Sequence, residues 1–343
     1  MNYKKNLSVL LGILLFSVEG FSQENDKFLI NKKDSINLPR RTVAYVADKI
    51  TIVRPLNIEY TYSAPYNFTS KNKNISLPNG KANNFTQAKI SASFNFIKKQ
   101  NWRFGTTLNY RYTNADLNMT DPFDSRSIEL DKKFHYLTAA LNFTYFSTLF
   151  DKRTIYSSSI VFDGSEQHFE RVRGLLSGAM ILKADQKTKM TVGLLVNIDP
   201  SAQTPVIPIF TYEHKFPNGL IADLTLPKSV YIRKFVFNAG RISIGSELDR
   251  TSFYMYDIDG TSQVYEYRQL DITSGIVYEH AVGDFVITGK SGVKIVPTGR
   301  LFKKEDSYNH FIYEMKPDPT FYLNIGVSFN PFTFLKKENK KIN

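Results

Sequence analysis

The chain has 343 residues, a formal net charge of +12 and no cysteine, with 27 Phe, 20 Tyr and one Trp. The absence of Cys excludes disulfides, thiolate catalysis and Cys-ligated metals. Its mean hydropathy of −0.28 and the lack, after the N-terminus, of any apolar run of about 18 residues exclude a later spanning helix. They leave room for a membrane barrel, in which half of every strand is polar.

The first predicted element is a secretory signal over residues 1–22. Lys4 and Lys5 form a basic start, "LSVLLGILLFSV" an apolar run too short for an anchor helix, and Gly20 and Ser22 a small-residue cut site before Gln23. No Cys follows the run, which excludes a lipoprotein anchor. Removing the signal lowers the net charge by one, because Lys4, Lys5 and Glu19 leave. The remaining basic residues are spread along the chain without a dense basic helix, so nucleic acid is not an expected partner.

Residues 23–55 are polar and charged, and two readings stay open: a flexible periplasmic leader or an inward plug. "TVAYVADKITIV" within them reads as one short strand pair.

From Leu56 to Phe334 the pattern is alternation. "KISASFNF" sets Ile90, Ala92, Phe94 and Phe96 against Lys89, Ser91, Ser93 and Asn95. "NIEYTYS", "WRFGTTLNYRYT", "YLTAALNFTYF", "QLDITSGIVYEH" and "DFVITGKSGVKI" behave alike. Such a period fits a soluble sandwich or a lipid-facing barrel. Three features favour the barrel. Several strands run to about ten or more residues, the length a tilted spanning strand needs. Short links such as "LFDKR" and "EHAVGD" alternate with long polar ones at Asn67–Asn84, Thr113–Lys133, Arg250–Tyr265 and Pro297–Pro319. The polar face carries charges of both signs, which suits a lumen.

The prediction is an all-β, closed antiparallel transmembrane barrel with short periplasmic turns and longer extracellular loops. Pro227 and Lys228 leave the strand count at twelve, if they mark a bulge, or fourteen, if they form an outer turn. Pro205 and Pro208 ask for a strand start or a bulge. Residues 335–343 read as a disordered basic tail.

The layout resembles outer-membrane β-barrel proteins of Bacteroidota, on the leader ending "FSQ", the alternating strands and the aromatic-rich "FYLNIGVSFNPF". Within that group, "TPVIPIFTYEHKFPNGLIADLTLPKSVYIR" is similar to a stretch of an uncharacterised barrel family. The resemblance implies an outer-membrane location, with lipid and lipopolysaccharide, periplasmic chaperones and the barrel-assembly machinery as partners. It also implies an assembly signal in the last strand at Asn324, Gly326 and Phe329, with Phe332 one position beyond the expected aromatic site. It implies no activity.

No catalytic constellation, cofactor site or metal site is expected. None of His135, His168, His214, His280 and His310 has a Ser two residues on, as lipase-type barrels require. "GKSG" at Gly289–Gly292 lacks the first glycine and the helix of a phosphate loop. "DIDG" at Asp257–Gly260 has Arg268 where a calcium loop needs Glu. Asp121, Asp124, Glu129 and Asp131 read as a solvated loop or as carboxylates sharing divalent ions with lipopolysaccharide. The lumen-lining candidates are Glu59, Lys89, Arg103, Arg111, Lys290 and Lys294. They are read either as a paired network stiffening the barrel or as a pore lining that attracts anions. The functional expectation is a passive narrow channel or solute carrier, with a structural or adhesive surface protein as the alternative and an enzyme third.

Overall fold

The computed structural model describes residues 55–73, 75–121, 126–237 and 239–329. The signal, the segment up to 54, the basic tail and Phe332 lie outside the described residues, as does Asp124. Every regular element is a strand. In chain order these are β1 (Leu56–Ser63), β2 (Tyr66–Asn72), β3 (Ile75–Lys98), β4 (Trp102–Thr120), β5 (Ser127–Leu149) and β6 (Lys152–Gly164). There follow β7 (Phe169–Ala184), β8 (Thr188–Ile198), β9 (Val206–Lys215), β10 (Leu220–Leu226), β11 (Ser229–Val236) and β12 (Gly240–Met255). The last are β13 (Tyr265–Val282), β14 (Phe285–Ile295), β15 (Gly299–Lys303), β16 (Phe311–Pro317) and β17 (Thr320–Phe329).

All seventeen segments join one antiparallel sheet, and β1 closes it by pairing with both β3 and β17. Three staves are interrupted, each at a proline that cannot donate to the ladder. β1 and β2 part at Pro65, β14 and β15 at Pro297, and β16 and β17 at Pro319. Counted as whole staves, the segments form a closed barrel of fourteen strands. Pro227 and Lys228 are the turn between β10 and β11, which decides fourteen over twelve. Pro205 precedes the first residue of β9, and Pro208 sits inside β9 opposite Leu194.

One end carries short turns. Phe150 and Asp151, both at positive φ, make the two-residue turn from β5 to β6. Gly283 and Asp284 join β13 to β14. Leu56 and Phe329 pair at this same end. At the opposite end, the head, much of the long polar links is strand among the described residues. Asn67–Asn84 is β2 and the upper part of β3; Thr113–Lys133 is largely the extended arms of β4 and β5, so Glu129 and Asp131 lie in β5. Pro297–Pro319 holds β15 and β16, and β12 runs on to Met255. The links that remain at the head, such as 199–205, 256–264 and 304–310, are longer than the turns at the other end but shorter than the polar stretches suggest. These stretches do alternate, but with polar residues where the lower strands carry apolar ones.

Each of the fourteen staves bears at least one exposed large apolar side chain, among them Ile58, Leu141, Leu194, Ile244 and Ile325. This outward belt thins toward the head, where Ile75 is an exception. Across Pro65 the outward residues change from Ile58, Tyr60 and Tyr62 to Asn67, Thr69 and Lys71, while Phe68 turns inward and is buried. A bulge at Asn83 keeps Ala82 and Phe85 on the same inner face, which simple alternation would separate.

A row of inner-face glycines crosses the wall. Gly245 pairs with Gly275, and Gly275 with Gly292. A Cβ on Gly275 would stand 2.7 Å from the Gly292 Cα. Buried Tyr231 and Tyr322 flank the row on the neighbouring strands. Side-chain-free positions of this kind allow strong local curvature.

Candidate functional site

The lumen is crossed by a ladder that starts on the inner face of β12. Glu247, Asp249, Thr251 and Phe253 follow at intervals of two, so all point inward. Lys290 on β14 donates to Glu247 at 3.1 Å and stands 3.9 Å from Glu59 on β1. Lys89 on β3 and Arg111 on β4 both pair with Asp249, Arg111 at 3.1 Å. Arg111 also donates to Thr251 Oγ1 at 2.9 Å, and Gln87 does so at 3.1 Å. Thr251 donates to Asp271 at 2.6 Å, and Asp271 pairs with Lys294 at 3.1 Å. Lys89, Arg111 and Lys294 are thus linked through Asp249, Thr251 and Asp271, while Glu59 and Lys290 meet below them with Glu247. Arg103 sits apart from both groups, near the turn end, with its guanidinium 5.0 Å from the centre of the Phe146 ring.

The lower rungs balance: Lys89, Arg111 and Lys290 face Glu59, Glu247 and Asp249. An unpaired charge in such a setting would cost several kcal/mol, and a balanced set leaves little net field to select ions. Access to water falls sharply along the ladder. The Asp249 side chain keeps 35% exposure although both its partners lie on the far wall. Thr251 has 0% and Phe253 6%. The interior is thus wet as far as Asp249 and dry above it.

Above Thr251 the head is filled. Phe253 stacks on Phe134 of β5, ring centres 3.9 Å apart, and on Tyr267 at 5.0 Å. Around them pack Tyr66, Phe68, Phe85, Leu117, Leu301 and Met315. The geometry follows from unequal strand lengths. β11 ends at Ser229 opposite Glu247, so β12 continues upward with one edge that no strand covers among the described residues. That edge tucks against β5, and Arg111 from β4 satisfies the Arg250 carbonyl at 2.5 Å.

The outer face of upper β12 and β13 is covered in turn by the inner face of β6 and β7 and by the 199–205 loop. The wall overlaps itself here. Tyr254 donates to Asp163 at 2.7 Å, Arg171 pairs with Glu266 at 3.0 Å, and Arg173 pairs with Asp163. Arg268 donates to the Ser201 carbonyl at 2.7 Å. Lys304 pairs with Glu170 at 3.0 Å. Burial opposes the Asp199 carboxylate, but hydrogen bonds from Ser201 and the guanidiniums of Arg171 and Arg173 outweigh it and hold the carboxyl below its ordinary range.

Sequence reasoning missed Asp249, Phe134, Phe253 and the overlap. A signal was present in "YEYRQ" at Tyr265–Gln269, where bulky or charged residues occupy both alternate faces and none is left for lipid. The closing strand β17 holds the assembly-signal candidates. Asn324 donates to Thr61 at 2.7 Å, Gly326 lies opposite Glu59, and the Phe329 ring is 5.4 Å from that of Phe285. The histidines are dispersed: His135 bonds Tyr110, His214 bonds Thr188, His280 bonds Tyr278, and His168 packs on Tyr256. Gly289–Gly292 lies within β14, and Asp259 of the Asp257–Gly260 turn accepts from Thr261 and Tyr265.

No protein-family model matches the chain, and no curated protein matches it in sequence. Among solved structures it is similar to the transport unit of the autotransporter AIDA-I from Escherichia coli, at 9% identity and a TM-score of 0.34, covering 84% of this chain and 98% of that one. It is similar also to an outer-membrane channel from Pseudomonas putida F1, at 10% identity and a TM-score of 0.29, covering 82% and 97%. A third is the outer-membrane protease OmpT from Escherichia coli, at 9% identity and a TM-score of 0.25, covering 82% and 99%. Likenesses this distant carry no argument about activity.

Proposed function

We propose that the chain is an outer-membrane barrel with a passive role, whose sealed head acts as a structural or adhesive surface. The exposed apolar side chains on every stave support insertion in lipid, and the polar outside of the head supports exposure to water. On this reading, export uses the 1–22 signal, and Asn324, Gly326, Phe329 and Phe332 carry the signal read by the assembly machinery.

The observation that carries the sealed reading is the meeting of opposite inner walls at Phe134 and Phe253, above a ladder that is already dry at Thr251. The lumen charges then serve as a structural network. The test is ion conductance of the refolded protein in a planar bilayer, where the seal predicts no steady open level.

A narrow channel or solute carrier is the second reading. The water-accessible interior up to Asp249 favours it, and it requires the head to open.

A further inference from the structure

We infer that the upper edge of β5 is a docking site for an extended segment of another protein, which adds to the sheet as an antiparallel strand. β4 and β5 pair without a bulge from Trp102 opposite Tyr145 to Thr120 opposite Ser127. β6 pairs with β5 only from Leu137 downward. Above that level β5 has β4 on one side and no paired strand on the other among the described residues. β12 meets β5 lower down and face to face, through Phe253 on Phe134. The inference rests on the reading of the head as an adhesive surface in water, and it names what that surface holds.

The free edge presents a fixed set of donors and acceptors. The Asp121 N–H donates to the Arg126 carbonyl at 2.7 Å, and the Phe146 N–H to the Asn101 carbonyl at 2.7 Å. Both pairs lie in the register of β4 with β5. In an antiparallel ladder alternate residues bond to opposite sides, so the even-numbered residues of β5 direct their backbone groups to β4. Ser127, Glu129, Asp131 and Lys133 therefore turn N–H and C=O to the open side. None of these groups has a backbone partner there among the described residues. All four residues are exposed. So is Lys132, although it shares the inner face with buried Phe134, and the space beside the edge is thus open. An unpaired edge of this kind is a template for another chain.

Strand addition takes affinity from main-chain bonds and specificity from alternate side chains. Ile128 and Leu130 are half-buried on the inner face, and Leu130 packs on the head core, so apolar side chains opposite them extend that core. Lys132 on the inner face and Lys133 on the outer face call for acidic residues. Asp131 and Glu129 on the outer face call for basic ones. Starting opposite Lys133, the partner therefore reads acidic, acidic, basic, apolar, basic, apolar. A second copy of the chain does not fit. Two barrels in one membrane, related by a twofold axis along its normal, run their β5 strands the same way and set each charge level with its own copy. Like charges so placed repel.

The test uses the full refolded chain in maltoside micelles and a fluorescent, N-acetylated peptide, Glu-Glu-Lys-Ile-Lys-Val-Thr, with binding read by anisotropy. Wild type should bind it saturably, and should bind the charge-swapped peptide Lys-Lys-Glu-Ile-Glu-Val-Thr roughly tenfold more weakly. Methylating the backbone nitrogens of the third and fifth peptide residues, which face β5, should weaken binding roughly tenfold or more. Methylating the second and fourth, which face away, should weaken it much less. Lys133→Glu should weaken binding of the first peptide while keeping heat-modifiable gel mobility. Absence of saturable binding of the first peptide would overturn the inference, as would equal losses from the two methylation patterns. Conductance of the same preparation reads the seal of the head separately, so a failed edge and a failed seal are told apart.

Discussion

Phe134 and Phe253 stack with ring centres 3.9 Å apart and planes 11° from parallel, although β5 and β12 lie on opposite sides of the ring of strands. The contact is possible because β10 and β11 are short and leave the upper edge of β12 free to move inward. Phe253→Ala should therefore lower stability by about 3–5 kcal/mol, as truncation of a packed aromatic does. The same change at exposed Phe237 should have little effect. Urea unfolding followed by tryptophan fluorescence measures both; equal effects would show that the head is not packed in this way.

Arg111→Ala should cost roughly 1–3 kcal/mol, since it removes a partner of Asp249 and of Thr251 but leaves Lys89 in place. Water reaches Asp249, so the effect belongs at the lower end of that range. Ion flow should stay unchanged or rise. A stable Arg111→Ala protein with altered anion preference would instead make these charges a pore lining.

Arg placed outward at Phe94 or Leu141 should impair insertion into lipid by roughly 2–4 kcal/mol if the site lies near the midplane. Arg placed inward at Ser93 should cost far less. Folding titrations into vesicles compare the two directly, and equal costs would reverse the assignment of faces.

The paired glycines allow a test of the close approach of β13 and β14. Gly275→Ala puts a Cβ against the backbone of β14 and should cost about 1–3 kcal/mol through overpacking. Gly289→Ala, in the next strand, meets nothing within 4 Å and should be nearly neutral apart from backbone effects. Equal unfolding midpoints for the two variants would show that the close backbone approach at Gly275 does not require glycine.

The barrel was legible because Ile58, Ile90 and Leu141 recur at intervals of two with polar partners between them, and that period survives whatever the strands pack against. The lumen candidates rest on the same parity, which assigns Lys89 and Lys290 to the inner face. Parity could not show which wall each would meet, so Asp249 went unnoticed as the shared partner of Lys89 and Arg111. The head was misread as loops because Asn67, Thr69 and Lys71 stand where apolar residues mark a strand in lipid. A strand in water with a buried inner face reads as a polar link. The overlap depends on where β11 stops, and strand ends are set by pairing across the sheet rather than by local composition.

Ion conductance across a planar bilayer tests the sealed head most directly. The wild-type barrel should show no steady open level, and the double variant Phe134→Ala, Phe253→Ala, if it inserts, should show openings. A steady, well-defined conductance from wild type would contradict the account, because ions would then pass where Thr251 and Phe253 leave no room for water.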